Sequence, residues 1–402
     1  MQSDASPAAA AAAAPTVRAG FLVAGAAFNF SFQLLLVLIP LFAAERGYSL
    51  AAIGLLTAVP GLMQVPLRVS GGVLTDVWGS ARIMRVCFLA SAVAAVPLLS
   101  DHPSLAGLAI AQVCNGIARG AFWPAAQSHA SRASSDSARA IGSLFTVTGI
   151  GGIAALLAAG AIADRLGYPV AFGASGAAAL VSLIATWREP APARPSVRRP
   201  MGEVLAPLRR MILQRPFLVA GALAFAASTP NALAGTFYPV FALQLGFGAV
   251  LATALVAVRQ GGMIAGASTF TPLLRRLSFP RAILISLAAV AVSLAVVPVL
   301  RDPVLYALGL ALSGIAAQVV NVGYIWWATQ NSRPEERGSA LAATGLWWAA
   351  AVLLVPAVFG AMAAHLGVAA TFVVWGAGVA ALCAGLALRP ALLSRAEASA
   401  EA

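Results

Sequence analysis

The chain has 402 residues, of which 60% are hydrophobic and only 9% are charged. A soluble domain carries about a quarter charged residues, so this composition excludes a set of ordinary water-soluble domains and indicates a surface that faces lipid. The net charge of +12 arises because the basic residues are 25 arginines against 13 acids. Such an excess suits either a nucleic-acid partner or the loops on one side of a membrane, and the arginine positions distinguish the two.

The first 18 residues are rich in alanine and have Asp4 near their start. A secretory signal needs a positively charged beginning, which this stretch lacks. Residues 1–18 are therefore predicted to form a disordered tail that is not cleaved, and the first hydrophobic run stays as a membrane anchor.

Hydrophobic runs long enough to cross a bilayer recur along the rest of the chain. The hydrocarbon core is about 30 Å thick and takes about 20 helical residues to cross. The sequence therefore predicts an all-α membrane protein with twelve transmembrane helices. The predicted spans are residues 19–43, 50–74, 83–100, 105–128, 140–162, 170–187, 216–241, 249–273, 282–300, 304–328, 339–360 and 370–388.

The arginines are distributed unevenly between the two sides of this topology. Nineteen, counting Arg85 close to the start of the third span, lie in loops or tails on the side of the N-terminus, and three, Arg46, Arg165 and Arg301, lie on the opposite side. Cytoplasmic loops carry an excess of arginine, so we predict a multi-pass protein of the cytoplasmic (inner) membrane with both termini in the cytoplasm. The positive charge is then topological, and no nucleic-acid partner is expected.

The longest interruption, residues 188–215, holds seven arginines and five prolines and is predicted to be a cytoplasmic linker. It separates an N-terminal six-helix bundle, 19–187, from a C-terminal one, 216–389, which a tail over 390–402 follows. Two repeated bundles imply a pseudo-twofold axis along the membrane normal and a site between them near the midplane. The repeated blocks are Gly160-Ala-Ile-Ala with Gly360-Ala-Met-Ala, Leu166-Gly167 with Leu366-Gly367, residues 111–115 with 317–321, and Pro40, Phe42 and Gly47 with Pro239, Phe241 and Gly246.

The loop between the second and third spans, residues 72–82, reads GVLTDVWGSAR. It resembles the G-x-L-x-D-x-x-G-x-x-R signature of the major facilitator superfamily (MFS), and the loop position and span count agree with that resemblance. The resemblance implies two six-helix bundles that rock about a central site, with helices 1, 4, 7 and 10 lining the cavity. It also implies a cytoplasmic gate formed by Gly72, Asp76, Gly79 and Arg82.

Polar side chains inside the spans are unevenly distributed: Asn, Gln and Arg are absent from spans 6, 9 and 12, and span 3 has only Arg85, close to its start. Polar groups are costly in a bilayer, so the spans that carry them are predicted to face water or substrate. Helical spacing places them in one stripe per helix. The predicted substrate-binding residues are Asn29, Gln33, Gln112, Asn115, Arg119, Asn231, Tyr238, Arg259, Gln318, Asn321, Tyr324 and Trp326. The fifth-span glycines, such as Gly151 and Gly152, are expected to permit close helix packing.

Apart from Arg85 near the start of span 3, three arginines lie within predicted spans: Arg68, Arg119 and Arg259. An arginine at the centre of a membrane helix costs about 2.5–3.5 kcal/mol, so it needs water, carbonyl groups or an anion as compensation. Every acid falls in a loop, a tail or a helix end, which leaves no obvious buried salt-bridge partner. Arg119 and Arg259 are therefore candidates for binding an anionic substrate or for structural contacts, and Arg68 is expected nearer the cytoplasmic mouth.

We predict a transporter and not an enzyme, with no cofactor, no metal site and no catalytic residues. The substrate is expected to be a small organic molecule moved by alternating access, and the chain is expected to be a monomer in the lipid bilayer. Export of an amphipathic solute is the first hypothesis, uptake or exchange of an organic anion the alternative, and a non-transporting sensor or scaffold the third. Coupling to a proton or to a counter-substrate stays open.

Overall fold

The structure is a computed structural model that describes residues 18–133, 136–187, 210–333 and 337–393. The predicted N-terminal tail, most of the predicted linker and most of the C-terminal tail lie outside these residues. Every regular element within them is a helix. The helices are α1 (Ala19–Glu45), α2 (Leu50–Trp78), α3 (Ser80–Ala95), α4 (Leu105–Ala133), α5 (Ser137–Leu166), α6 (Tyr168–Ala185), α7a (Arg215–Ala234), α7b (Phe237–Gln244), α8 (Ala249–Arg276), α9 (Phe279–Val296), α10 (Pro303–Gln330), α11 (Arg337–Leu366) and α12 (Val368–Leu388).

Twelve helical segments within the described residues are long and apolar enough to cross a membrane, which confirms the predicted number of spans. Several helices are longer than predicted: α4 continues to Ala133 and α11 to Leu366, beyond the predicted ends at 128 and 360. Hydropathy marks only the part of a helix that suits the bilayer core. Backbone hydrogen bonding continues past that part, as in the last turn of α4, where Arg132 is exposed.

The predicted seventh span, 216–241, is two helices and not one. α7a ends at Ala234, and α7b begins at Phe237 after Thr236 leaves the helical conformation (φ −126°, ψ −74°). Pro239 lacks the N–H that would bond to the carbonyl of Gly235, so the helical ladder is interrupted there. At the break, Leu36 of α1 packs directly against Gly235. A Cβ on Gly235 would lie 2.5 Å from Leu36 Cγ, so a larger residue would not fit there.

Apolar side chains fill the interior of both bundles. One core runs through both bundles, and it includes Leu38 of α1 and Phe241 of α7b. A second core lies in the N-terminal bundle, where Phe28 of α1 packs on Phe88 and Phe122 at ring-centroid distances of 5.5 and 4.1 Å. These cores leave the polar side chains of the spans to lie between helices or towards the space between the bundles.

The two bundles touch through α2 with α11 and α5 with α8. The membrane side on which α1 begins is called here the terminus side, and the opposite one the far side. On the far side the contact is backbone against backbone: a Cβ on Gly360 would meet the carbonyl oxygen of Leu50, and one on Gly160 would meet that of Ala249. Towards the terminus side, by contrast, Phe145 of α5 and Ser268 of α8 are exposed.

These far-side contacts involve residues of the repeated sequence blocks. Gly160 and Gly360 are equivalent in the repeat, and each meets the first residue of a helix in the opposite bundle. Their helices also end alike, because Gly167 and Gly367 adopt positive φ values of 86° and 78° that a residue with a side chain rarely adopts. The repeat therefore corresponds to a pair of matching contacts that close the bundles against each other on the far side.

Candidate central site

Two arginines of the N-terminal bundle meet one aromatic ring of the C-terminal bundle at the boundary between the bundles. The guanidinium carbon of Arg68 in α2 lies 4.0 Å from the ring centroid of Trp348 in α11, and that of Arg119 in α4 lies 5.8 Å from it. Arg119 also lies 4.0 Å from the ring of Phe32 in α1. Both arginines are half-buried. Arg68, expected near the mouth, thus shares its surroundings with Arg119.

Glycines in α4 explain why the two arginines lie close together. A Cβ on Gly116 would lie 2.7 Å from Pro60 Cα, and one on Gly120 would lie 3.2 Å from Gln64 Cα, so α4 lies directly on α2. Small residues permit this close approach in membrane helices. Arg119 directly precedes Gly120, which places it beside the face of α2 that carries Arg68.

Several polar atoms around this pair have no hydrogen-bond partner. Gln64 and Gln112 each have a buried, unbonded Oε1, Asn115 has neither Oδ1 nor Nδ2 bonded, and Arg68 Nε is also unbonded. Buried polar groups in proteins are normally hydrogen-bonded, so unsatisfied ones call for a specific explanation. Here they come from two adjacent helices, α2 and α4, and offer both donors and acceptors.

Arg259 in α8 has different surroundings. Its side chain is only 2% exposed, and its Nη2 donates to Asn231 Oδ1 of α7a at 2.7 Å, while Nη1 lies 3.4 Å from Met263 Sδ. Asn231 Nδ2 in turn donates to the carbonyl of Ala227 at 3.1 Å. Tyr238 of α7b is 1% exposed and stacks on Phe372 at 5.0 Å. Arg259 of α8 is therefore brought together with Asn231, whereas the predicted stripe of Asn231, Gly235 and Tyr238 is divided by the break between α7a and α7b.

The α1 stripe packs against α5. Asn29 Nδ2 donates to the carbonyl of Thr148 at 2.7 Å, and a Cβ on Gly152 would lie 2.6 Å from that nitrogen. Gln33 is 8% exposed and lies beside the same glycine. Asn29 and Gln33 thus occupy a helix–helix contact, and the expected packing role of the fifth-span glycines is visible there.

The predicted α10 residues separate into two groups. Gln318 and Asn321 are half-buried, with Gln318 beside Gly266 of α8. Tyr324 is 5% exposed and lies within electrostatic range of Arg68. Trp326 instead packs on Phe279 at the start of α9, at a centroid distance of 4.9 Å. Trp326 is therefore in an aromatic contact at the edge of the bundle and not beside the arginine pair.

The predicted gate is described only in part. Gly79 ends α2 with φ 85° and donates its N–H to the carbonyl of Thr75 at 2.9 Å, so the glycine serves the tight turn into α3. Arg82 is exposed at the start of α3. The side-chain surroundings of Gly72 and Asp76 lie outside the described part of the chain.

The carboxylate nearest in sequence to any of the three arginines within the spans is that of Asp76, eight residues after Arg68 on α2 and beyond the candidate membrane span, which ends at Arg68. Within the described spans the acids are Glu45 and Asp164, each at the far-side end of its helix. Gln64, Arg68, Trp348 and Phe32 are not among the substrate-binding residues predicted from the sequence, and Phe32 carries no signal beyond being aromatic. The four-residue spacing of Gln64 and Arg68 in α2 is the pattern that could have included those two.

A sequence model described as Major Facilitator Superfamily matches residues 21–356. The chain belongs to the Major Facilitator Superfamily. Solved MFS-type structures share its fold: a point mutant of the nucleoside transporter NupG has a TM-score of 0.81 at 13% identity, covering 93% of this chain and 99% of that one. A POT family transporter in complex with 5-aminolevulinic acid has a TM-score of 0.78 at 11% identity, covering 93% and 96%.

The D-xylose–proton symporter superposes on this MFS chain with a TM-score of 0.72 at 13% identity. The match covers 91% of this chain and 95% of the symporter. No curated protein sequence matches the chain. Family and fold together indicate a multi-pass secondary transporter and not an enzyme. At these identities the structural likeness shows the fold alone, so the substrate must be argued from this chain's own residues.

Proposed function

We propose that this MFS transporter moves a small organic anion that has an apolar body, such as an aromatic carboxylate. The observation that carries the proposal is the pair Arg68 and Arg119, which are half-buried at the boundary between the bundles beside unbonded amide atoms, with no acid within the described interior of the spans. Guanidinium groups bind carboxylates through paired, charge-assisted hydrogen bonds. The carboxylate of the substrate would supply the negative charge that the spans lack.

The remaining features of the site suit the apolar body of such a substrate. Phe32 and Trp348 present rings next to the two guanidinium groups. Gln112 and Asn115 would hydrogen-bond the polar atoms of the substrate, since their own buried atoms are unbonded. Arg259 is proposed as a second anion contact after the bundles rearrange, because at 2% exposed it does not reach solvent in this conformation.

The contacts between the two bundles differ on the two sides of the membrane, as a transporter that works by alternating access requires. The bundles are closed on the far side by Gly160 and Gly360, while the helix ends on the terminus side expose polar and aromatic residues. Rocking of one bundle against the other around a fixed midplane site would exchange these two arrangements. With the arginine-rich side proposed to lie in the cytoplasm, we infer that this arrangement, closed on the far side, is the inward-facing one.

A binding measurement with three molecules of similar shape and different charge tests the substrate class. Benzoate should bind the purified transporter at least about tenfold more tightly than benzamide, and benzylamine should not bind, because a charged hydrogen bond contributes about 1.5–3 kcal/mol. Arg119→Gln should remove the preference for benzoate while leaving the yield and melting temperature unchanged. Arg165→Gln, at an exposed far-side position, is the matched control. Equal binding of benzoate and benzamide would refute an anion site.

Export of the anion is the proposed direction, since the aromatic rings suit an amphipathic solute. The lack of a carboxylate in the described interior of the spans leaves three proposed forms of coupling: a proton carried by the substrate, a proton at Asp76, or exchange for a second anion. Uptake of radiolabelled benzoate into inside-out membrane vesicles, with and without an imposed proton gradient, tests direction and coupling together. An exporter should load inside-out vesicles several times faster than right-side-out ones, and the reverse ratio would indicate an importer.

A further inference from the structure

Arg68 reaches across the boundary between the two bundles. It belongs to α2 of the N-terminal bundle, and its guanidinium lies over Trp348 of α11 in the C-terminal bundle. Gly345, one turn before Trp348, lies beside it, since a Cβ there would be in ordinary van der Waals contact with Arg68 Nη1 at 3.9 Å. The guanidinium therefore lies in a recess of the opposite bundle whose wall is the face of an indole ring.

The tryptophan that forms this wall is anchored in its own bundle by its neighbour. The ring of Trp347 packs on Gly221 of α7a, where a Cβ would lie 2.5 Å from Trp347 Nε1. Successive residues of a helix point in different directions, so Trp347 faces α7a while Trp348 faces α2. The backbone of Trp348 is thus held in the C-terminal bundle by the packing of Trp347. Its ring contacts the guanidinium of Arg68, which belongs to the N-terminal bundle.

Stacking and anion binding use different parts of a guanidinium group. An aromatic ring contacts the flat face of the group, whereas carboxylates bind along its edge, in the plane of its N–H groups. A ring 4.0 Å from Arg68 Cζ holds the plane of the group while leaving the edge available. The edge includes Nε, which is buried and unbonded. The ring therefore orients a donor that has no partner in the bundle.

We propose that Trp348 is a positioning residue for the anion site: it orients Arg68 from the opposite bundle, so that the site is complete only while the bundles have this arrangement. The proposal rests on the proposed function of the arginine pair. It makes affinity depend on conformation, because any movement that takes α11 away from α2 removes the ring from Arg68. By linkage, a bound anion would then favour the arrangement in which Trp348 and Arg68 are in contact.

Arg119 provides an internal comparison for this proposal. Its guanidinium lies 4.0 Å from Phe32 of its own bundle and 5.8 Å from Trp348. Phe32 travels with Arg119 when the bundles move, since α1 and α4 belong to the same bundle. The loss of the Trp348 ring should therefore affect Arg68 strongly and Arg119 weakly.

Two double-mutant cycles on benzoate affinity of the full-length protein test the assignment. Trp348→Ala should weaken benzoate binding about fivefold to tenfold, and Trp348→Phe should restore most of it because a ring is present again. In an Arg68→Gln background Trp348→Ala should have almost no further effect, whereas in an Arg119→Gln background it should keep most of its effect. Trp375→Ala, in α12 and packed on Phe359, is the control and should not be coupled to Arg68.

The outcomes separate this proposal from the proposed function. Additive effects of Trp348→Ala and Arg68→Gln, or failure of Trp348→Phe to rescue, would overturn the positioning role while the benzoate preference of the wild type stands. Coupling to Arg119 as strong as that to Arg68 would also overturn it, because the ring would then contact the substrate itself. A wild type without preference for benzoate over benzamide would overturn both. A spin-label distance between Asp101 and Arg301, which lie in exposed far-side loops, should shorten with benzoate in the wild type and not in Trp348→Ala.

Discussion

The arginines within the spans have contrasting surroundings in the two bundles. In the C-terminal bundle Arg259 is closed off at 2% exposed and donates to the amide oxygen of Asn231 at 2.7 Å. In the N-terminal bundle Arg68 and Arg119 are half-buried, lie against aromatic rings, and have unbonded amide atoms beside them. Arg259 therefore has a strong side-chain partner in its own bundle, although its Nε is unbonded, whereas Arg68 and Arg119 lie on aromatic rings with unbonded amide atoms nearby. The first arrangement favours stability and the second favours binding.

The largest expected effect on stability comes from removing the partner of Arg259. Asn231→Leu keeps the volume of the side chain but leaves a buried guanidinium with one hydrogen bond fewer. We expect the free energy of unfolding to fall by about 2–3 kcal/mol, as for other hydrogen bonds to charged groups. Denaturation by SDS in mixed micelles measures this change. An unchanged free energy would mean that Arg259 is hydrated, which would end the contrast between the bundles.

A matched substitution in the N-terminal bundle should act in the opposite way. Gln112→Met replaces a buried amide whose Oε1 has no partner with an apolar side chain of similar length. The free energy of unfolding should stay the same or rise by up to about 1 kcal/mol, because an unsatisfied polar group is removed. Benzoate affinity should fall about tenfold, as a substrate hydrogen bond is lost. A stability loss comparable with that of Asn231→Leu would show that Gln112 is structural.

The smallest net effect is expected when both partners in the C-terminal bundle become apolar. Arg259→Met combined with Asn231→Leu removes the charge together with its acceptor, and such paired replacements are often neutral or stabilising. The double variant should unfold within about 1 kcal/mol of the wild type, so most of the loss in Asn231→Leu is regained. If benzoate transport also disappears in this stable variant, Arg259 contributes to transport as proposed and not only to packing.

The sequence predicted some features of the site and missed others for reasons that particular residues illustrate. The predicted stripe of Asn231, Gly235 and Tyr238 follows helical spacing within one span, whereas the hydrogen bond from Arg259 of α8 to Asn231 joins two helices and depends on how they pack. Asn29 and Gln33 follow the same spacing but lie against α5, since a polar stripe does not specify which neighbour it meets. Trp326 packs on Phe279 at the edge of the bundle, whereas Trp348 reaches the arginine pair, and nothing in the local sequence separates these two tryptophans.

What the sequence determined by itself is the membrane character, the number of spans, the family and the two-bundle repeat. Each depends on local properties, namely the length of an apolar run, a short motif, or a block that occurs twice. The tertiary structure decided the break between α7a and α7b, the far-side contacts of Gly160 and Gly360, and the partners of each arginine. Those depend on the distance and angle at which helices cross, which close-packed side chains and backbones set jointly. A guanidinium in a membrane must be compensated, but only the packing determines whether an amide, an aromatic ring or a substrate does so.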